Sequence, residues 1–270
     1  ERGLRSGSTE EAFTLTGNNL YNPSWGQQSG GVRNSRVRKD AVPFVMASLS
    51  APIGAATQMT FSVGGDYGER SYSTLGWYDA MTPRPDNYRY MPSYYSDKDV
   101  AAAVADEWRS RNERYTQIDW AELYNQNRMS ADGAIYAMDE RVERIARAEF
   151  LLRFSTELGQ NLTIGYGVRG RYDSSRNYKR MADLMGATHL RDVDYFLIDD
   201  DTYSNSLQND LHNPNRLVAE GERFSYDYEL VARSLQADVM FEYAVKRWHI
   251  NVDLAVGVQE QLRRGYFEKE

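Results

Sequence analysis

Residues 161–173 read NLTIGYGVRGRYD, and the fold turns on how this stretch is read. Gly165, Gly167 and Gly170 satisfy G-x-G-x-x-G, and Asn161-Leu162-Thr163 satisfies the N-x-[ST] sequon. A nucleotide-binding loop needs its glycines at a strand-to-helix turn. Here Leu162, Ile164, Tyr166, Val168 and Tyr172 alternate with Asn161, Thr163, Gly165, Gly167, Arg169, Arg171 and Asp173. Period 2 means a β-strand with one oily face and one wet face. The glycines lie inside that strand and no helical pattern follows. The sequon Asn falls in a tight turn.

Five further stretches alternate in the same way: 41–50, 58–67, 146–158, 224–245 and 248–258. The weakest is 41–50, where Val42, Phe44 and Met46 oppose Val45, Ala47 and Leu49. Segment 224–245 changes parity between Leu230 and Leu235, which predicts a β-bulge near residues 232–234. The expected count is therefore about six strands in three hairpins, with short turns at 51–57, 159–161 and 246–247. The other connections, 73–138 and 174–222, are long. Short turns on one side and long loops on the other characterise outer-membrane barrels, whereas loops of this length are rare in compact sandwiches. The fold class expected is all-β, an antiparallel up-and-down segment of a transmembrane β-barrel. Its long, partly helical extracellular loops would span about 1–32, 73–138 and 174–222. Within the second loop, Asp97 caps a helix carrying Val100, Val104 and Trp108, and 119–124 forms a further helical turn or two.

Three features favour a barrel over a sandwich, the first two more than the third. The strand at 146–158 exceeds the ~9–11 residues that cross a bilayer at a tilt. Aromatic residues gather at strand ends: Tyr67, Tyr72, Tyr166, Tyr172, Tyr226 and Tyr228 toward the long loops, and Phe241, Tyr243 and Trp248 toward the short turns. Such rings suit the two interfacial girdles of a membrane barrel. The wet faces carry opposite charges, Arg147, Glu149, Arg153 and Glu157 beside Arg169 and Arg171, which a filled lumen would accept and so would the solvent face of a sandwich. Six strands cannot close a lumen, and an open edge in hydrocarbon would leave backbone groups unpaired, so further strands are required. Both ends of the sequence read as cut.

Composition closes several other routes. The 270 residues carry a net charge of -7 and no cysteine. The longest basic cluster is Arg36-Val37-Arg38-Lys39, so nucleic acid is not an expected partner. Disulfides, thiolate zinc sites and cysteine nucleophiles are excluded. His189, His212 and His249 lack ligand spacing, no Ser-His or phosphate-loop signature is legible, and neither an enzyme nor a metal or cofactor is expected. The run Asp192, Asp194, Asp199, Asp200 and Asp201 reads either as a calcium site or as a solvated loop, and its spacing favours the loop.

Two stretches carry a resemblance. They are LYNPSWGQQSGGVRNSRV at 20–37 and LGWYDAMTPRPDNYRYMPSYY at 75–95, followed by IDWAELY at 118–124. They resemble the N-P-x-W-G-x-Q-x-G-x-x-R-N-S-R-V and W-Y-D-A-x-x-P-R-P-D-x-Y-R-Y-x-P-S segments of a subgroup of TonB-dependent outer-membrane receptors. The resemblance implies a large barrel plugged by an N-terminal domain, located in the cell outer membrane. Its function would be energy-coupled uptake of a specific ligand (siderophore, glycan, peptide or corrinoid). Implied partners are outer-membrane lipid, an extracellular ligand, a surface lipoprotein in some cases, and the TonB inner-membrane complex, which acts through an N-terminal region. The plug domain and that region are missing from this sequence. The alternative is a soluble or surface-anchored glycan-binding β-sandwich. The candidate ligand residues are Trp77, Tyr78, Tyr88, Tyr90, Tyr94 and Tyr95, crowded into one loop with Pro83, Pro85 and Pro92. They could stack on a ligand or form the loop's own small core, and their large apolar surfaces favour the second.

Overall fold

The computed structural model describes residues 1–197 and 206–269. One large antiparallel sheet organises them. Its main strands are β4 (Val37–Ala41), β5 (Phe44–Ile53), β6 (Thr57–Trp77), β7 (Tyr136–Leu158), β8 (Leu162–Asp183), β11 (Arg223–Val245) and β12 (Trp248–Gly265), with the short β1 (Arg2–Gly3) added against β4. Two small hairpins lie in the connecting segments: β2 (Trp25–Gln28) with β3 (Gly31–Asn34), and β9 (Leu190–Arg191) with β10 (Leu217–Val218). Each long strand pairs with the next in the chain, so the expected up-and-down order is present. The sheet is open, with β12 at one edge and β1 and β5 toward the other.

The expectation of about six strands is corrected to eight in the principal sheet and twelve among the described residues. The edge strand is broken at Val42-Pro43, because proline cannot donate to the ladder and bends the chain. β4 pairs with residues 69–72 of β6 and β5 with residues 57–66, so the expected strand at 41–50 becomes two. The strands of the small hairpins are too short for alternation to register. Strand lengths were also underestimated. β6, β7, β8 and β11 run 21, 23, 22 and 23 residues, which narrows the two long connections to 78–135 and 184–222. The three short turns fall where expected.

Register assigns every side chain to a face. One face carries Leu49 and Ala51 on β5, Met59, Phe61 and Val63 on β6, Phe150, Leu152 and Phe154 on β7, and Ile164, Tyr166 and Val168 on β8. Across β11 and β12 it continues as Leu235, Val239 and Phe241 beside Val258, Leu254 and Val252. No second layer covers this band among the described residues: Phe150 stays 39% exposed, Ile250 53% and Leu254 63%. The opposite face is polar and paired. Arg147 meets Asp66 at 3.3 Å, Arg169 meets Glu149 at 2.7 Å and Arg171 meets Asp173 at 2.5 Å.

The predicted bulge at 232–234 does not exist. Register between β8 and β11 is unbroken from Asp227 to Tyr243, and the irregularity lies between Phe224 and Asp227, where Ser225 takes a positive φ of 68°. The change of parity is a change of environment. Above the row of Tyr67 and Tyr172, the formerly apolar face becomes a charged ladder. There Arg144 binds Glu69 at 2.6 Å, Arg176 binds Asp227 at 2.8 Å and Arg180 binds Glu140 at 2.6 Å. Leu230 and Tyr228 therefore sit on the other face. The same register corrects part of the expected girdles. Tyr166 stacks on Phe154 (5.2 Å between centroids) near the short turns, and Tyr72 and Tyr228 face away from the apolar band.

The buried core lies at the long-loop end. Trp120, Leu123, Leu75, Ile118, Tyr136, Met138 and Met185 form one cluster, and Ala12, Tyr21, Met91 and Trp108 another. Helices supply much of it: α1 (Glu10–Thr16), α2 (Lys98–Arg109), α3 (Glu113–Thr116) and α4 (Trp120–Met129). Asp97 caps α2 as expected, accepting from the Asp99 and Val100 amides at 2.8 and 3.2 Å, and Trp108 is fully buried. The turn expected at 119–124 extends to Met129.

The break between β4 and β5 depends on Gly68, because a Cβ there would run into the Ala41 carbonyl oxygen and Val42 Cα. Gly68→Ala is expected to destabilise the edge by about 1–3 kcal/mol. Urea titration followed by far-UV circular dichroism checks this; an unchanged midpoint would mean that the edge shifts freely.

Candidate functional site

The motif-bearing stretches converge into one cap above the sheet. Pro23, Ser24 and Trp25 lead into the β2–β3 hairpin, and the Ile118 amide donates to the Trp25 carbonyl at 3.0 Å. This approach requires Gly26, since any Cβ would overlap the Ile118 carbonyl oxygen. Arg33 on β3 stacks over Trp120 at 4.3 Å and donates to Asp183 at 2.6 Å and to the Tyr124 hydroxyl at 3.2 Å. Two of the motif stretches, 20–37 and 118–124, and the end of β8 thus share one joint. The N-terminal segment adds Tyr21, whose hydroxyl donates to the Thr116 carbonyl at 2.8 Å.

Asn127 is the buried pin of the cap. Its Oδ1 accepts from the Ile135 and Tyr136 amides at 3.1 and 2.9 Å. Its Nδ2 donates to the Tyr136 and Leu184 carbonyls at 2.7 and 2.8 Å. The side chain acts as a peptide unit where β7 begins and β8 has ended. Sequence reasoning passes over it because one asparagine on a helix carries no pattern. Arg33 and Asp183 were missed for a related reason: 150 positions separate them.

The loop from Trp77 to Tyr95 is tied by hydrogen bonds at several points. Arg84 grips the buried Asp86 through two bonds of 3.0 and 2.9 Å, and Ser8 donates to the same carboxylate at 2.9 Å. The hydrogen bond to Asp86 raises the Arg84 pKa above its ordinary value. Tyr90 donates to the Thr82 carbonyl and Tyr136 to the Met81 carbonyl, both at 2.9 Å. Asn87 caps the first of two 3-10 turns, Tyr88–Tyr90, accepting from the Arg89 amide at 3.1 Å, and Pro92–Tyr94 forms the second.

The six candidate aromatics separate by position. Tyr78 turns inward against Tyr195 (5.0 Å between centroids), and burial pushes its phenol well above the usual tyrosine range, helped by nearby Asp139. Tyr90 is half-buried and its hydroxyl is engaged. Trp77, Tyr88, Tyr94 and Tyr95 keep 44%, 59%, 54% and 36% of their surfaces open. Tyr88 meets Tyr94 edge to face at 5.7 Å, and Tyr94 meets Tyr95 at 5.9 Å. The loop's buried packing comes largely from Met91, Trp108 and Tyr21 instead. Trp77 and Tyr88 also line a cleft of about 530 Å³, together with Asp79, Thr82, Asn87 and Arg89.

The acidic run is used for stitching. Asp192 accepts from Asn209 at 2.9 Å, the Ser225 amide at 2.9 Å and Arg216 at 2.8 Å, while Lys269 reaches Asp194 at 3.0 Å. Asp199, Asp200 and Asp201 lie outside the described residues. Asp210 is drawn upward by burial but held below the usual carboxylate range by bonds from Asn213 and the Glu268 and His212 amides. Among the described residues, no group of three or more His, Cys, Asp or Glu side chains is arranged to hold a metal ion. Gly165 and Gly167 sit inside β8, and no helix follows it before β9.

Truncating the pin exposes the role of the cap joint. Asn127→Ala leaves buried amides and carbonyls unpaired and is expected to cost on the order of 3 kcal/mol. Tryptic cleavage after Arg128 should accelerate in the variant, and Asn127→Asp should fall between the two; equal cleavage rates in all three would remove the assigned role. No known protein family, no curated protein and no solved structure matches the chain.

Proposed function

We propose that this chain forms part of the wall and outer loops of a TonB-dependent outer-membrane receptor, which takes up a specific ligand with energy coupled from the inner membrane. One observation carries the reading: a wide, uncovered apolar band on one face of an open sheet, backed by a paired, charged face. From Leu162 to Tyr172 the band covers about ten residue steps of ~3.3 Å. At a tilt near 45° that is roughly 23 Å, close to the ~25 Å apolar height of outer-membrane barrels. Phe154, Tyr166, Phe241, Tyr243 and Trp248 gather near its lower margin, and Tyr67 and Tyr172 at its upper one. The motif resemblance at 20–37, 75–95 and 118–124 adds the receptor class to the membrane geometry. The charged face would look into a lumen that accommodates a plug.

The reading makes demands on the edges. β12 pairs only with β11, and hydrocarbon cannot satisfy its outer backbone groups, so further strands must pair there and beside β5. A glycan-binding sandwich is the second reading, favoured by the exposed Trp77 and Tyr88. It requires a second sheet on the apolar band, and the two small hairpins instead belong to the connecting segments.

The chain has no cysteine, so single introduced thiols report cleanly. In the whole protein in native envelopes, a fluorophore attached to Phe150→Cys, Phe154→Cys, Ile164→Cys or Val252→Cys should be quenched by a lipid-soluble quencher. One attached to Glu149→Cys or Arg169→Cys should not. If the first four stay dark to the bilayer, the membrane assignment is wrong. In lipid vesicles, Leu152→Arg at mid-band should cost about 2–4 kcal/mol in denaturant unfolding.

A further inference from the structure

We propose that the cleft between Trp77 and Tyr88 binds a neutral sugar ring of an oligosaccharide. The cleft of about 530 Å³ falls within the ~300–1,000 Å³ range of small-molecule sites. Two aromatic side chains line it with much of their surfaces open, Trp77 at 44% and Tyr88 at 59%. Solvated aromatic surface is costly to maintain, and these rings are held out by a framework that does not collapse onto them. The Arg84–Asp86 pair, the Tyr90–Thr82 bond and the Tyr136–Met81 bond fix the loop from three sides. A ligand meeting a preformed site loses less free energy to ordering.

The polar rim selects the ligand chemistry. Asp79 offers an acceptor, Arg89 a set of donors, and Asn87 and Thr82 add amide and hydroxyl groups. Hydroxyls on a sugar ring both donate and accept, so a mixed rim suits them. One carboxylate and one guanidinium offset each other, which leaves no net field to favour an anionic metal chelate or a phosphate. The apolar C–H face of a pyranose can lie on an aromatic ring while its edge hydroxyls reach such a rim. Arg89 donates to the Tyr88 hydroxyl at 3.0 Å, which sets the orientation of that ring.

This deepens the uptake reading by naming the substrate class, and it rests on that reading for its biological meaning. The binding itself is a property of the cleft, so it is tested apart from membrane insertion. The whole protein in detergent micelles is titrated by calorimetry with maltohexaose, cellohexaose and xylohexaose, with a ferric tris-catecholate as the anionic arm. At least one neutral oligosaccharide is expected to bind and the catecholate to bind at least tenfold more weakly. Trp77→Ala and, independently, Tyr88→Ala should each weaken sugar binding tenfold or more, with Tyr88→Phe, which keeps the ring but loses the hydroxyl that accepts from Arg89, between the parent and Tyr88→Ala. Far-UV circular dichroism confirms folding. Because Tyr88 is the more exposed of the two, its variant decides the matter should Trp77→Ala misfold. Absence of binding by all three sugars, binding indifferent to both truncations, or preference for the catecholate would each overturn the proposal. Failure of the lipid-quenching experiment alone would instead remove the membrane reading and leave the sugar site standing.

Discussion

Strands of more than twenty residues hide their backbone polar groups only by pairing along their whole length. In this protein that requirement sets everything else. Once β6, β7, β8 and β11 are locked in one meander, the register of a single residue fixes the face of every neighbour. A slip by one would turn Phe150, Leu152 and Phe154 toward Arg169 and Asp66, so the alternation and the ladder enforce each other. The sheet in turn presents β6–β7 and β8 ends at one height, and the cap is assembled on those ends.

The cap is a small globular structure made from pieces distant in sequence. Its stability comes from burial of Trp108, Trp120, Tyr21 and Met91, and from side chains that stand in for backbone, above all Asn127 and Asp192. Arg33 adds a planar contact on Trp120 together with its bond to Asp183, a pairing that lysine could not reproduce. Such a cap explains how connections of this length hold a defined shape. It also explains why the aromatic loop can leave Trp77 and Tyr88 in the open: the burial that stabilises it is supplied elsewhere.

Much of this was legible in the sequence, and the boundary of legibility is physical. Alternation found the three hairpins and their turns, because each strand has one face that excludes water. It found α2 through Asp97 and the Val104–Trp108 stripe. It failed where the environment changes along a strand. Parity breaks between Leu230 and Leu235 because the face changes partners there, and a bulge was the wrong explanation. The same cause shortened the strands: at Glu69, Arg144 and Asp227 the period-2 signal survives in charge pairing, to which a hydrophobicity pattern is blind. α1 carried a readable signal in Thr9, Glu10, Glu11 and Gly17, its N-cap, acidic first turn and left-handed C-cap. For the candidate site, sequence singled out one aromatic-rich loop without saying which of its rings stay in the open. Which aromatics face outward depends on Tyr78 meeting Tyr195 across more than a hundred positions, and no local pattern encodes that.

The border between the oily band and the charge ladder has a mechanical meaning in the proposed orientation. It works as a waterline. Sinking the wall by one residue pair would push Arg144, Glu69, Arg176 and Asp227 toward hydrocarbon, and raising it would lift Phe154 and Tyr166 out. A β-wall cannot flex in length as a helix can tilt, so adjustment to a thicker or thinner leaflet falls on the surrounding lipid, at fractions of a kcal/mol per ångström of mismatch. The protein would thus carry a ring of deformed lipid with it, and neighbours of similar draught would share that ring at lower cost.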